Sequence, residues 1–315
     1  MKHVFVIDPK PFHGQQWKMD GLLDSIGQFF RTQEKANFSS VASYYPRSAI
    51  GLIQRQVDEA DEDETVRVYA IGGDEILFDC LNGISGLPNM ELAVVPHGSA
   101  NNFVRSFGEG KAEFFKDIPA QVDSSTIPTD VIHVGNNCAI NGCAVGFAPA
   151  LIMQKREIRT RLEKGISRFF IGFWFFVNNI TSIFDRELIA HHYDISVDGV
   201  DYSGEYGQIN IVNAPYFGRK KHALKGAMPN DGLLEVVMFK ATRPFSTLAS
   251  FRRHLAGKMP SNCVRIQAKK IEVKSANPIW IQTDSEFLQD TSITFEVVPE
   301  AVQIVTVNYL TYQGT

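Results

Sequence analysis

Residues 66–86 read VRVYAIGGDEILFDCLNGISG, and this stretch decides the fold. Val66 to Ile71 is a mostly β-branched, apolar run that Gly72 and Gly73 cut off. After Asp74 and Glu75, the residues Ile76, Leu77, Cys80, Leu81 and Ile84 recur at the spacing of one helix face. The pattern predicts a strand, a glycine turn and a helix. Two residues without Cβ let backbone N–H groups approach an anion, and the helix that follows points its positive end at the same place. Phosphate suits such a turn, although an ordinary strand-to-helix connection can use the same residues.

Working outward, the flanking segments alternate in the same way. A strand at Val4 to Ile7 precedes a helical stripe of Leu22, Leu23, Ile26, Phe29 and Phe30. A strand around Phe38 to Ala42 is separated by Pro46 from a helix carrying Ala49, Ile50, Ile53 and Val57. The acidic cluster Asp58 to Glu64 reads as a solvated loop. Downstream, Leu92 to Val95 forms a strand. It ends in Pro96-His97-Gly98-Ser99-Ala100-Asn101-Asn102-Phe103, where asparagines are placed to cap another helix. This βαβα rhythm predicts a parallel sheet with helices packed on it. Loops at the carboxyl ends of neighbouring parallel strands converge on one crevice, so two phosphate-friendly loops would face one ligand.

Beyond about Ile127 the period changes. Val131 to Val134, Cys138 to Ile140, Tyr193 to Val197, the Asp198-Gly199 turn, Gln208 to Val212, Leu234 to Phe239, Ile271 to Val273, Trp280 to Thr283 and Ile293 to Val298 suit antiparallel strands. The expected fold class is therefore α/β: an α/β domain over residues 1–128, followed by a mainly antiparallel β-sandwich domain over 129–305. A helical insertion is expected near 150–184, and residues 306–315 would return to the first domain.

Composition bounds the function. A chain of 315 residues fits two domains of ordinary size, and 44% apolar with 21% charged residues is the balance of a globular protein. A net charge of −4 argues against a general nucleic-acid binder. The four cysteines, at 80, 138, 143 and 263, form no C-x-x-C pair, so they read as reduced thiols in a cytoplasmic protein. The amino-terminal apolar run is too short for a secretory signal. The longest run, Phe169 to Val177, falls well short of the roughly 20 residues that span a bilayer, so no transmembrane segment is expected.

The series GGDEILFDCLNGI, PHGSANNF, NDGLLEVVMF and TDSEF, preceded by SYYPRSA, resembles the ordered motifs of the diacylglycerol kinase catalytic-domain family, which includes sphingosine kinases and bacterial lipid kinases. The resemblance covers nearly the whole chain. It implies an NAD-kinase-like fold and transfer of the γ-phosphoryl group of ATP to a lipid hydroxyl such as that of diacylglycerol. It places Ser43, Gly72, Gly73, Asp74, Glu75, Ile76, Gly98, Ser99 and Asn101 around the nucleotide. It puts Asp231 with the carbonyls of Met228 and Leu233 around a structural or regulatory Mg²⁺, and makes Glu286 the general base. Asp74 and Asp284 complete the set of carboxylates available to phosphoryl transfer, which needs charge neutralisation, alignment and a carboxylate near the attacking hydroxyl. The implied partners are ATP, Mg²⁺ and a lipid substrate met transiently at the inner membrane surface. The resemblance also leaves room for a homodimer.

Departures from the family pattern bear on activity. Where the family loop reads G-G-D-G-T, this chain has Glu75 and Ile76. A carboxylate about 5 Å from a phosphate charge, at an effective dielectric near 20, would oppose binding by about 3 kcal/mol unless it is shielded. Asp8-Pro9 replaces Asn-Pro, Asn102 replaces the Asp of Asn-Asp-Phe, Ser285 replaces the Gly of Asp-Gly-Glu, Ala148 replaces the Asp of Gly-Phe-Asp, and Gly218-Arg219-Lys220-Lys221 replaces a glycine-rich patch. An alternative reading is a non-catalytic or altered-nucleotide-binding relative. A soluble small-molecule kinase of the NAD-kinase type fits less well, because the NDGLLEVVMF and TDSEF spacing follows the lipid branch. Two basic groups could meet anionic headgroups: Lys155, Arg156, Arg159, Arg161, Lys164 and Arg168 ahead of the aromatic Phe169 to Phe176, and Arg219, Lys220, Lys221 and Lys225. Solvated basic faces are the simpler account of both.

Overall fold

The computed structural model describes residues 1–32, 37–61, 63–162, 190–217, 224–241, 253 and 260–313. Its first part runs β1 (Lys2–Ile7), α1 (Gln16–Arg31), β2 (Asn37–Ala42), α2 (Ser48–Asp58), β3 (Val66–Gly72), α3 (Asp74–Ile84) and β4 (Met90–Pro96). The four strands are parallel and lie in the order β4-β3-β1-β2. β1 and β3 are buried along their whole length. Alternate side chains of each therefore enter two different cores. Val4, Val6, Val68 and Ala70 pack with Ala49 and Ile53 of α2 and Leu77, Cys80 and Leu81 of α3. Phe5, Ile7, Tyr69 and Ile71 pack on the other face with Met19, Ile26 and Phe30 of α1.

A short helix, α4 (Ile118–Val122), leads into β5 (Thr126–Val134), β6 (Asn137–Ala139), β7 (Gly142–Gly146) and α5 (Phe147–Leu162). After it come β8 (His191–Val197), β9 (Val200–Asp201), β10 (Gly204–Val212), β11 (Leu234–Lys240), β12 (Cys263–Ala268), β13 (Lys270–Thr283) and β14 (Glu286–Val305). Apart from the parallel β14–β4 contact, the pairings of these strands are antiparallel. They enclose a third core that includes Val145, Tyr193, Ile195, Ile209, Met238, Ile281 and Phe295. The mixed α/β architecture with a β-sandwich following the parallel sheet is the one the change of period predicts.

Strand lengths differ from the sequence expectation in instructive ways. β7 has no strand signature in the sequence: GCAVG is bounded by glycines and shows no alternation, yet it is wholly buried between β10 and β13. Ile271–Val273 and Trp280–Thr283 belong to one strand, β13, whose pairing with β14 shifts register between Lys274 and Ile279. β14 has 20 residues; it pairs with β13 at its start and with β5 further on, and then meets β4 in parallel at Gln303↔Glu91 and Ile304↔Leu92. One sheet thus runs through both parts of the molecule. The chain end follows, with Tyr312 against the rings of Phe103 and Phe107 in the first core. The described part of the expected helical insertion is α5. Lys164, Arg168, the Phe169–Phe176 segment and Arg219, Lys220 and Lys221 lie outside the described residues. Among the described residues no helix is long and apolar enough to cross a membrane.

Candidate active site

The two glycine loops are joined through their backbones. The Gly72 carbonyl accepts the N–H groups of His97 at 2.7 Å and Gly98 at 3.0 Å. A Cβ on Gly72 would lie 2.9 Å from Asp8 Cβ and 2.8 Å from Ile76 Cγ2, and one on Gly98 would collide with the Cα of Gly73. Gly98 is therefore needed for the two loops to touch each other, and Gly72 for the close approach of the first loop to Asp8 and Ile76. Asn101, at φ 49°, closes the second loop: its Oδ1 accepts the Gly98 N–H at 3.0 Å and its Nδ2 donates to the Gly98 carbonyl at 2.8 Å. The Gly98 amide is thus engaged twice within the protein, and Ser99 stands exposed at the loop tip.

Asp74, the first residue of α3, faces that second loop. Its Oδ1 accepts the Asn102 backbone N–H at 2.8 Å, and its Oδ2 accepts from Asn102 Nδ2 at 3.2 Å. Burial pushes its carboxyl up to about 6 against these donors. The same contact explains why the expected helix cap does not form. With its side chain turned to Asp74, Asn102 makes no side-chain cap bond, and a five-residue 3-10 helix, Phe103–Phe107, follows in place of an α-helix.

Asp284 plays the corresponding part in the β-sandwich. At φ 47° it turns the chain between β13 and β14. Its buried carboxylate receives the backbone N–H groups of Ile140 at 2.7 Å and Gly142 at 3.0 Å, with Asn141 shared between both oxygens at 3.2 and 3.3 Å. Burial raises this carboxyl also to about 6, with the charge of Asp74 adding to the effect. Both acids are thus occupied in holding loops at the junction of the two parts.

An open cleft of about 330 Å³ lies beside this junction, lined by Asp8, Lys10, Ser43, Tyr45, Pro46, Glu75, Ile76, Phe78, Asp79, Arg156, Ser285 and Glu286. Of the residues expected at the site it gathers Ser43, Glu75, Ile76 and Glu286. Gly72, Gly73, Asp74, Gly98, Ser99, Asn101 and Asp284 are not among its walls. Ser43 Oγ sits 2.8 Å from Ser48 Oγ, at the start of α2. Glu75 lies in the first turn of α3 with a negative φ, so the backbone freedom of a glycine is not used at this position. Its Oε2 is 2.7 Å from Lys10 Nζ, in a pair whose side chains are 60% and 58% exposed. Ile76 turns inward and is 3% exposed, which accounts for an apolar residue there.

Four charged cleft residues are not singled out as site residues by the sequence. Asp79 stands one helical turn beyond Glu75; its Oδ2 accepts the N–H of Arg47 at 2.8 Å, and burial first, with Glu286 and Glu75 adding, lifts its carboxyl to about 6. The i, i+4 spacing of Glu75 and Asp79 could have shown that they share a face. Asp8 accepts the Lys10 backbone N–H at 2.9 Å, and burial raises its carboxyl. Lys10 itself lies between two prolines. Arg156 of α5 reaches the cleft with its guanidinium 4.6 Å from the Phe287 ring, so this member of the basic stretch faces the site.

The Asp231 turn lies apart from this cleft. Asp231 Oδ1 accepts the Leu233 N–H at 3.0 Å, and burial, followed by the charges of Asp130 and Glu235, raises its carboxyl. Asp130 is buried and accepts the Gly232 N–H at 2.7 Å. Two carboxylates share this turn, a donor set of hard oxygens that fits a divalent cation. Among the described residues, however, no group of three or more His, Cys, Asp or Glu side chains could hold a metal. Any cation here would depend on backbone oxygens and water for the rest of its shell.

Comparison with known proteins gives two family matches in chain order. Residues 11–134 match the diacylglycerol kinase catalytic domain, and residues 177–306 match the YegS C-terminal NAD kinase beta sandwich-like domain. A Staphylococcus aureus (strain JH9) protein named "Putative lipid kinase" is 26% identical over 249 residues, covering 77% of this chain and 78% of that protein. A protein of the same name from strain Newman matches to the same extent. Among solved structures, "A putative diacylglycerol kinase from Bacillus anthracis str. Sterne" superposes with a TM-score of 0.70 at 18% identity, covering 98% of each chain.

Proposed function

We propose that this chain, a member of the diacylglycerol kinase catalytic-domain family, transfers the γ-phosphoryl group of ATP to the hydroxyl of a lipid such as diacylglycerol. The observation that carries the reading is the convergence of Glu286 and the amino-terminal turn of α3 on one open cleft. The first-turn N–H groups of a helix have no acceptor within the helix and carry its positive pole, which suits a phosphate. In the step proposed, the lipid hydroxyl oxygen attacks the γ-phosphorus and its proton passes to Glu286. The bond from γ-phosphorus to the β,γ-bridging oxygen breaks, and ADP leaves with that electron pair. Asp74 and Asp284 act by fixing the loops that shape the site. Mg²⁺ supplies charge neutralisation at the phosphates when bound. Asp231 and the carbonyls of Met228 and Leu233 would hold a further, structural ion. The protein would act in the cytoplasm and meet its substrate at the inner membrane surface.

The test is incubation of the purified protein with γ-labelled ATP, Mg²⁺ and vesicles containing diacylglycerol, sphingosine or monoacylglycerol. Label is expected in one of these lipids, and Glu286→Gln should lower kcat by about 10²–10⁴-fold. It should leave nucleotide affinity nearly unchanged. Nucleotide binding with no labelled lipid in any vesicle would rule out the transfer.

A further inference from the structure

The Lys10–Glu75 pair stands at the amino terminus of α3 and the structure gives it a use. We propose that Lys10 is the side chain that grips the terminal phosphate of the bound nucleotide, and that Glu75 is its positioning residue. The inference rests on the nucleotide-binding reading above, and it reverses what the sequence suggests for Glu75, a carboxylate that repels the ligand.

Three observations carry it. Lys10 is fixed at its backbone: Pro9 and Pro11 restrict the chain on either side, and Asp8 accepts its N–H at 2.9 Å. Phe12, two residues on, is 5% exposed and has its ring 5.1 Å from that of His97 in the second loop. Second, Lys10 is fixed at its tip, since the 2.7 Å contact with Glu75 Oε2 draws Nζ across from the end of β1 to the first turn of α3. A four-carbon side chain left to itself would sample many rotamers there. Third, both partners line the cleft that Glu286 enters from the opposite domain. The ammonium therefore stands where negative charge on a transferring phosphoryl would need it, beside backbone donors of the same polarity.

Neutralisation of Glu75 by Lys10 removes the objection to an acid in this loop. The pair presents no net charge to an approaching triphosphate, and the ammonium keeps further donors for phosphate oxygens while one is held by Glu75. The arrangement also predicts a reversal of sign that a simple repulsive or simple structural role would not give. With Lys10 present, removing Glu75 releases the ammonium and weakens binding. With Lys10 absent, Glu75 is an unshielded carboxylate, and removing it strengthens binding.

Isothermal titration of the full chain with Mg²⁺ and a non-hydrolysable ATP analogue tests this across wild type, Lys10→Met, Glu75→Gln and the double variant. Lys10→Met should weaken binding about tenfold or more, which is ~1.4 kcal/mol or more. Glu75→Gln alone should weaken it about threefold, and the same change made in Lys10→Met should tighten it. Thermal midpoints should stay within a degree or two, since both side chains are largely exposed. Unchanged affinity in Lys10→Met, or tighter binding by Glu75→Gln alone, overturns the inference while leaving nucleotide binding intact. A wild type that binds no nucleotide overturns the functional reading and the inference with it.

Discussion

Asp284→Asn separates a scaffold acid from a catalytic one. Asparagine keeps the size of the side chain and tolerates the φ of 47° at this position, but it offers one acceptor oxygen in place of two. Three backbone N–H groups, from Ile140, Asn141 and Gly142, now converge on that carboxylate. At least one would lose its acceptor at a cost of about 1–3 kcal/mol, and the others would lose the benefit of an anion. Relief of a buried charge offsets part of this. The net expectation at pH 7 is destabilisation by about 1–3 kcal/mol, or about 2–4 °C of thermal midpoint per kcal/mol. The pH dependence is a sharper test. Burial holds the Asp284 carboxyl at about 6, above its ordinary 3.8. Stability contributed by a group raised in this way is full below the unfolded pKa and is lost as pH rises through the folded one. Going from pH 7 to pH 5, the wild type should regain about 1 kcal/mol from this residue, and the variant none. The gap between the two proteins should therefore widen on acidification. Thermal unfolding followed by circular dichroism at both pH values, beside phosphoryl-transfer assays, measures it. A variant as stable as wild type whose kcat has fallen by about 10²–10⁴-fold would make Asp284 the proton acceptor and refute the scaffold role.

Two further outcomes follow from the same geometry. Gly98→Ala places a methyl group against the Cα of Gly73 and 2.8 Å from Asn101 Oδ1, so it should part the two loops, destabilise by about 1–3 kcal/mol and weaken nucleotide binding; an unchanged thermal midpoint would show that the loops are not in contact. Asp231→Asn should diminish the rise in thermal midpoint produced by Mg²⁺ in the absence of nucleotide, and an identical Mg²⁺ titration would remove Asp231 from metal binding.

How far the molecule is legible in its sequence depends on whether a residue's role is local. The β3–turn–α3 unit can be read directly, because a fully apolar strand, two glycines and a helical stripe each leave a pattern within a few residues. β7 leaves no such pattern; its place between β10 and β13 is set by partners far along the chain. The glycine loops were legible as close-approach sites, but the object approached is partly the other loop, and only the register of β3 on β4 shows this. Asp74 and Asp284 look like equal candidates beside Glu286 as long as only residue type is known. Their hydrogen-bond partners lie 28 residues away for Asp74 and 142–144 for Asp284, so the engagement of both carboxylates with loop backbone cannot be read from residue type. Glu75 reads as an obstacle for the same reason. Its partner Lys10 is 65 residues away, so the charge can be seen in the sequence and its neutralisation cannot.

β14 explains how pieces so distant in sequence keep their relative positions. Its first residue is Glu286, and its last turn of pairing lies on β4, the strand that delivers His97 and Gly98 to the Gly72 carbonyl. The cleft acid and the glycine loops therefore hang on one hydrogen-bonded frame. That frame has a break in the β14–β5 register between Val298 and Val302, where Glu300 takes φ 52°. Buried Asp130 clamps the break, accepting the Glu300 N–H at 2.9 Å with one oxygen and the Gly232 N–H at 2.7 Å with the other. Gly232 is the neighbour of Asp231. A charge change at the Asp231 turn thus reaches the bend in β14 through a single carboxylate, whereas among the described residues no such link runs directly to the Lys10–Glu75 pair. Stability in Mg²⁺ is accordingly the proper measure of Asp231, and nucleotide affinity the proper measure of Lys10.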